Sequence, residues 1–237
     1  MNQNNDNYIF NKLIEHKLKN KITSPVGYVQ IFIDDKCVDE SYNLVVGLGR
    51  AFTAQRIFNI TTTEFYQQEP DYTNHIVSHF AIGAGGSVIT SNDNYTLQGP
   101  HICDEHLYRP ISLGDLTYLN EKVDYYEEDN PYFHNQYCIK PLQEKVLVET
   151  RFPTQPIEEN SICSYFTRIR CICRVNSGEP GLLEDGHSVQ ISEAGLYAVN
   201  EDENLEDRNP VMFAHVCFSP KFKEKEKTFG LKWNILC

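Results

Sequence analysis

The sequence predicts a mainly β protein, folded as an antiparallel β-sandwich or flattened barrel that packs one amphipathic helix and carries long loops. Segments in which apolar and polar residues alternate recur along much of the chain, which is typical of strands with one buried face. Residues 44–59 instead place their apolar side chains along one helical stripe. Polar segments with Gly and Pro separate these elements, as expected of turns and loops.

The last fifty residues show the alternation most clearly. Val189–Val199 predicts a strand kinked at Gly195, Val211–Phe218 predicts a second strand, and Thr228–Leu236 predicts a third. In the second strand, even-numbered and odd-numbered residues should occupy opposite faces. We therefore expect a three-stranded meander with one apolar face and with Trp233 turned inward.

The N-terminal part of the chain predicts an arm, residues 1–22, that contains a short helix over Tyr8–Lys19. Such an arm either stays loose, as a frayed terminus, or docks on a neighbouring subunit. A hairpin should follow, formed by Tyr28–Asp34 and Cys37–Tyr42 around a turn at 34–36.

The strongest helix signal covers Leu44–Asn59, with Asn43 as its N-cap. Further strands are expected over Ile76–Ile82, Lys145–Phe152 and Ile162–Val175. The last of these carries three arginines on one face, which should meet water or an acidic partner: Arg168, Arg170 and Arg174.

Residues 23–237 are interpreted as a single β-rich domain with loops at 61–74 and 87–99 and a loop-rich insertion around 113–143. The large apolar side chains expected in its core are Phe52, Phe80, Leu196, Phe213, Phe218 and Trp233.

Composition narrows the function classes. With 41% hydrophobic residues the chain can bury a core, and its net charge of −12 argues against a protein that grips a phosphate backbone. No apolar run approaches the 18 residues of a membrane span, so no membrane-spanning segment is expected. Eight cysteines without a signal peptide indicate a reducing cytosol in which most thiols are buried. Cys171 and Cys173 share a strand face and are poor partners for each other, although a bond between subunits stays an alternative.

Two glycine-rich stretches resemble phosphate-binding loops only weakly. Gly47-Leu-Gly49 follows a short apolar run, but Phe52 occupies the third glycine position and no second βαβ unit follows. Gly83-Ala-Gly85-Gly86 has no Lys-Ser or Lys-Thr pair after it. We interpret it as a strand end that needs unusual backbone angles.

Candidate metal ligands cluster at His101-Ile-Cys103-Asp-Glu-His106, but a structural zinc site needs a second ligand pair, and the chain has no Cys-x-x-Cys. His75 and His79 lie on a predicted strand about 13 Å apart, too far to share an ion. The acidic run 200–207 lacks the Gly turn of a calcium loop and is expected to be a solvated hairpin tip. No Gly-x-Ser-x-Gly elbow singles out a nucleophile. We therefore expect no catalytic, cofactor-binding or metal-binding residues, no cofactor and no enzymatic activity.

Three C-terminal blocks carry a family resemblance. Ile191-Ser-Glu-Ala-Gly-Leu-Tyr-Ala-Val-Asn200, Met212-Phe-Ala-His-Val-Cys-Phe-Ser-Pro220 and Thr228-Phe-Gly-Leu-Lys-Trp-Asn-Ile235 resemble the C-terminal signature of a group of tailed-bacteriophage virion proteins. Asn43-Leu-Val-Val46 and Phe80-Ala-Ile-Gly-Ala-Gly85 resemble its upstream companions. The likeness covers about two thirds of the chain in scattered blocks, whereas Lys221–Lys227 is more charged than the family's turn and the insertion around 113–143 has no counterpart.

The resemblance implies a structural component of a phage virion, made in the host cytoplasm and assembled as a ring or cluster at the neck, collar, tail or baseplate. Its partners would be copies of itself and other virion proteins, without specific nucleic-acid binding. One alternative is a receptor- or glycan-binding module of a tail fibre, with exposed Tyr and Trp in a groove near Tyr118–Phe133. Another is a tail-associated depolymerase, which would need paired carboxylates at catalytic separation.

Overall fold

The computed structural model describes residues 3–20, 25–47, 49–50, 53, 74–91, 94–111, 139–151, 166–179, 188–200 and 210–237. In chain order its elements are α1 (Gln3–Lys19), β1 (Val26–Ile33), β2 (Lys36–Val45), β3 (His75–Gly83), β4 (Ser87–Ser91), β5 (Asn94–Leu97), β6 (Lys140–Pro141), β7 (Glu144–Arg151), β8 (Phe166–Val175), β9 (Ser188–Asn200), β10 (Val211–Glu224) and β11 (Phe229–Leu236). Residues 113–138 of the insertion predicted around 113–143, residues 201–207 of the acidic run and residues 61–73 of the loop predicted over 61–74 lie outside the described residues.

The prediction of a mainly β fold is confirmed. Nine strands form one curled antiparallel sheet, a half-barrel, in the order β6-β3-β9-β10-β2-β1-β11-β8-β7. The other two strands, β4 and β5, form a separate hairpin. The prediction of an exposed loop over 87–99 was therefore wrong. The strands β4 and β5 are so short that their alternation of apolar and polar residues cannot be distinguished from a polar loop.

The expected three-stranded meander at the C-terminus is also wrong. β9 and β10 pair with each other, but β2 and β1 lie between β10 and β11. Trp233 on β11 thus stands opposite Val29 on β1. Alternation shows which side of a strand is buried and carries no information about the neighbouring strand, so the inserted β1–β2 hairpin was missed.

The core lies inside the curl of the sheet. Trp233 is fully buried, as predicted, and so are Phe80 and Leu196, while Phe213 and Phe218 keep at most a small exposed fraction. Phe52, the remaining predicted core residue, lies outside the described residues.

A β-bulge on β10 breaks the strict alternation expected there. The register shifts between Met212 and Ala214, and a bulge adds one residue to one strand of a pair. Met212 consequently packs in a cluster with Tyr197, whereas Ala214 and Val216 pack in the main core. The prediction that all even-numbered residues of this strand share one face was wrong for Met212.

The two ends of the sheet are joined by the chain itself. β6 and β7 stand at opposite ends of the strand order, yet only two residues separate them. The Leu142 N–H donates to Ser78 O of β3 and the Gln143 N–H donates to Ile172 O of β8, both at 2.8 Å. Lys140 also pairs with Glu179, beyond the end of β8, at 2.7 Å. Residues 140–143 therefore bridge the gap that the curled sheet leaves open.

The predicted helix 44–59 begins later than expected. Leu44 and Val45 end β2, where they pair with His215 and Ala214 of β10. Helical backbone starts at Gly47, and the Arg50 N–H donates to Val46 O at 3.1 Å. Asn43 is a buried strand residue and not an N-cap, because pairing with β10 outcompetes the local helical preference. Beyond residue 53 the predicted helix lies outside the described residues.

The predicted N-terminal helix is present and longer, since α1 starts at Gln3. Ile9 and Leu13 pack on Val26, Tyr28 and Leu236, on the outer side of the sheet. Polar contacts fix this docking: Lys12 Nζ donates to the Tyr28 hydroxyl at 2.7 Å, and that hydroxyl donates to Glu40. The arm thus docks on its own sheet.

Of the three arginines on β8, one departs from the prediction. Arg168 is buried, with 1% of its surface exposed, because it stands opposite Leu236 where α1 covers the sheet. Arg170 meets an acidic partner, Glu144, at 3.8 Å, and Arg174 is half-buried.

Candidate functional site

A group of ionisable side chains in mutual contact surrounds His215. His215 on β10 and Glu193 on β9 are diagonal neighbours, because His215 pairs with Gly195 and Cys217 pairs with Glu193. Both side chains are fully buried, and His215 Nε2 lies 3.1 Å from Glu193 Oε2. The sheet register alone therefore brings this imidazole and carboxylate together.

A second carboxylate reaches His215 from the segment that follows β5. Asp104 Oδ2 lies 2.7 Å from His215 Nδ1. The same oxygen accepts hydrogen bonds from the His101 N–H at 2.7 Å and the Tyr108 hydroxyl at 3.1 Å. The Tyr108 ring also meets the imidazole edge-on, with centroids 5.0 Å apart. We call His215, Glu193, Asp104 and Tyr108 the His215 clasp.

Glu193 is held by backbone donors as well as by the imidazole. Its Oε1 accepts the N–H groups of Gly85 and Arg109 at 2.8 Å each, and its Oε2 accepts the Tyr108 N–H at 3.0 Å. A buried carboxylate is tolerated only when its oxygens are hydrogen-bonded or paired. Here one side chain on β9 satisfies both needs while tying the end of β3 and residues 108–109 to the sheet.

The glycine stretch 83–86 makes this arrangement possible by leaving space. A Cβ atom on Gly83 would lie 2.4 Å from Glu193 Oε1, and one on Gly86 would lie 2.0 Å from Ser192 O. Among the described glycines only Gly178 has a positive φ, so the predicted need for unusual backbone angles at 83–86 was wrong. Close approach of a buried carboxylate and a neighbouring strand requires these glycines.

The electrostatics favour a charged imidazole. Burial by itself lowers the pKa of His215, but hydrogen bonds with Cys217, Glu193 and Asp104 outweigh it and raise that pKa to about 10. Both ring nitrogens then carry protons and donate to a carboxylate on either side. Burial and the neighbouring Asp104 also raise the pKa of Tyr108 to about 12.

Cys217 gives the site the composition of a nucleophilic centre without its geometry. Cys217 Sγ lies 3.7 Å from His215 Nε2, and Cys217 is 6% exposed. A protonated imidazole can favour a neighbouring thiolate, but the Nε2–H of His215 is directed at the nearer Glu193 Oε2, 3.1 Å away. The ion pairs and hydrogen bonds around His215 hold β9, β10 and residues 99–111 together.

The predicted cluster His101–His106 contributes only one member to the site. Asp104 turns towards His215, whereas His101, Cys103 and His106 are exposed. Over the ranges that the structure describes, no group of three or more His, Cys, Asp or Glu residues is placed to hold a metal ion. Sequence reasoning missed Glu193 and His215, although an acid and a histidine inside otherwise apolar strands were a usable signal.

The described cysteines divide equally between surface and interior. Cys171, Cys173 and Cys217 are buried free thiols, as expected, and burial raises the pKa of Cys171 to about 11. Cys37, Cys103 and Cys237 are exposed free thiols. The prediction that most thiols are buried therefore holds for only half of this set.

Within the described part of the chain, no helix is long and apolar enough to cross a membrane. The aromatic groove predicted near Tyr118–Phe133 falls outside the described residues. In comparisons with known proteins, no family model, curated protein or solved structure matches this chain significantly.

Proposed function

We propose that this chain is a structural component of a tailed-phage virion, assembling with copies of itself as a ring or cluster at the neck, collar, tail or baseplate. The observation that carries the proposal is the His215 clasp. His215 and Glu193 are fully buried, Asp104 keeps 10% of its side chain exposed, and all three are bonded to one another and to backbone groups, so their chemistry serves to hold the fold. An assembly subunit needs such a fixed surface more than it needs a reactive group.

The strands that carry the family resemblance give further support. Leu196, Phe218 and Trp233, one from each block, are buried in the same core. A pattern maintained by packing is what a structural role requires, because its residues specify the shape of the subunit.

A candidate contact surface lies next to the clasp. Val88, Tyr95 and Leu97 of the β4–β5 hairpin are about half exposed, and Tyr108 is 40% exposed. The Gln98 N–H donates to Gly86 O at 2.9 Å, and the Tyr108 hydroxyl shares its single hydrogen between Asp104 Oδ2 at 3.1 Å and Gly99 O at 3.0 Å, so the clasp supports the base of the hairpin. Exposed aromatic and aliphatic side chains on a supported hairpin suit contact with another virion subunit.

Mass photometry and negative-stain electron microscopy of the purified chain test the proposal. We expect closed particles of one copy number that dissociate when Val88 and Leu97 are both changed to Asp. Val38→Asp is the matched control, because Val38 is exposed at 38% on β2, outside the hairpin. A wild-type chain that stays monomeric at every concentration would contradict self-assembly.

A further inference from the structure

A basic groove crosses the outer face of the sheet where β1, β11 and β8 lie side by side. Gly230 forms its floor, with Phe32 of β1 opposite on one side and Arg174 of β8 opposite on the other. A Cβ atom on Gly230 would meet its nearest atoms only at 3.6 and 3.7 Å, so the glycine leaves the floor open. The groove encloses about 110 Å³, room for one carboxylate group with its stem.

Two cations flank this floor. Lys232 is two residues along β11 from Gly230, and it is therefore a diagonal neighbour of Arg174, about 7–8 Å away between Cα atoms. Lys232 Nζ stands over the Phe32 ring, 4.6 Å from its centroid. None of the ion pairs between described residues includes Arg174 or Lys232, and Asp35 is the one carboxylate among the described residues that line the groove. The groove is thus a locally basic site on a chain of net charge −12.

The chain also contains a segment of matching charge, which lies in sequence between β9 and β10. Residues 201–207 read Glu-Asp-Glu-Asn-Leu-Glu-Asp, and they connect the end of β9 to the start of β10. β10 extends for 14 residues, about 43 Å, away from that connection before the turn that leads into β11. Lys232 lies only four residues inside the far end, so roughly 30 Å separate it from the start of β10.

The distance is too long for the acidic segment to reach both cations within one molecule. Ten residues, 201–210, join the end of β9 to the start of β10, so their backbone can extend at most about 17 Å from these strand ends. Side-chain lengths bring Lys232 just within range, but Arg174, which pairs with Gly230 two residues farther along β11, stays out of reach. A contact that uses both cations therefore has to join two copies of the chain.

We propose that the groove between Phe32, Arg174 and Lys232 binds a carboxylate side chain from the acidic segment 201–207 of a second copy. Arg174 supplies a planar guanidinium that can hold a carboxylate with two parallel hydrogen bonds, and Lys232 adds a second positive charge. Phe32 keeps the Lys232 ammonium in place. Because donor and acceptor surfaces differ, the contact is head-to-tail, the type that builds rings or filaments. This inference names a contact for the proposed assembly and rests on it.

Binding of a peptide tests the groove separately from assembly. A fluorescein-labelled peptide with the sequence of residues 200–208 is titrated with the full chain, and its anisotropy is recorded. The variant Arg174→Gln/Lys232→Gln should bind at least tenfold more weakly than the wild type. The variant Lys19→Gln/Lys227→Gln, which loses the same charge at two other positions, should bind like the wild type. A second peptide, with every Glu and Asp replaced by Gln and Asn, should not bind.

Each outcome has a defined consequence. Failure of the wild type to bind the acidic peptide, or equal weakening by both double variants, overturns the groove. Peptide binding by a chain that stays monomeric in mass photometry retains the groove as a site for acidic peptides, but it overturns both the proposed self-assembly and the contact between copies. Particles that form equally well from Arg174→Gln/Lys232→Gln and from the wild type retain the assembly and overturn this contact.

Discussion

The His215 clasp makes its sharpest prediction at Glu193. Glu193→Gln preserves shape but replaces Oε2 by an NH₂ group, which then faces two donors, the Tyr108 N–H and the His215 Nε2–H. Each buried group left without a partner costs about 1–3 kcal/mol, and removing one side of a buried ion pair typically costs about 3–5 kcal/mol. Oε1 still accepts from Gly85 and Arg109. We therefore expect the free energy of unfolding to fall by about 3–5 kcal/mol.

Urea unfolding followed by tryptophan fluorescence measures this loss. Trp233 is the single tryptophan and is fully buried, so its emission reports exposure of the core. Glu226→Gln is the matched control, since Glu226 is exposed in the turn before β11. A loss below about 1 kcal/mol for Glu193→Gln would show that solvent or rearrangement satisfies these groups, and the clasp would not be a stabilising element.

Four further measurements test the charge of His215, the core position of Trp233, the docking of α1 and the close packing at Gly86. The pKa of His215 is raised to about 10, so the charged imidazole stabilises the folded chain fully below about pH 6.5 and no longer does so once the pH has risen through 10. The free energy of unfolding should therefore fall between about pH 6.5 and about pH 10. In Glu193→Gln it should fall less steeply. Trp233→Ala should cost about 3–5 kcal/mol in circular-dichroism melts, and an unchanged melting temperature would contradict its core position. Tyr28→Phe should release α1, seen as faster amide hydrogen exchange in residues 3–19 with no change in β11. Gly86→Ala should unfold or severely destabilise the chain because its Cβ would meet backbone at 2.0 Å, whereas Gly99→Ala, which meets no atom within 4 Å, should be neutral.

Much of the secondary structure could be predicted because the burial of one face of a strand makes apolar and polar residues alternate along the sequence. β1, β3 and β11 were placed within a few residues, because apolar side chains alternate along β1 and β11 and occupy both faces of β3. Their neighbours in the sheet could not be predicted. Pairing of β1 with β11 joins residues about 200 positions apart, and a two-residue period is the same whichever strand lies alongside.

The candidate site shows the same division. Asp104 was part of a conspicuous cluster, but its role depends on His215, 111 residues away. Glu193 is an acidic residue inside an otherwise apolar predicted strand, and Gly83, Gly85 and Gly86 form a recognisable glycine-rich motif. Glu193 and these glycines are brought together because β3 and β9 approach closely. The only sign of that approach in the sequence is the glycines themselves, which have no side chains.

The pairing of β1 with β11 determines when this protein can acquire its structure during synthesis. Val26 pairs with Leu236, 210 positions later in the sequence, and along β1 every residue has a β11 partner. The β1–β2 hairpin leaves the ribosome long before β11 does, so β1 presents an open hydrogen-bonding edge until β11 emerges from the exit tunnel. Nascent chains stalled before residue 229 should consequently remain sensitive to protease, and the completed protein should fold slowly for its size.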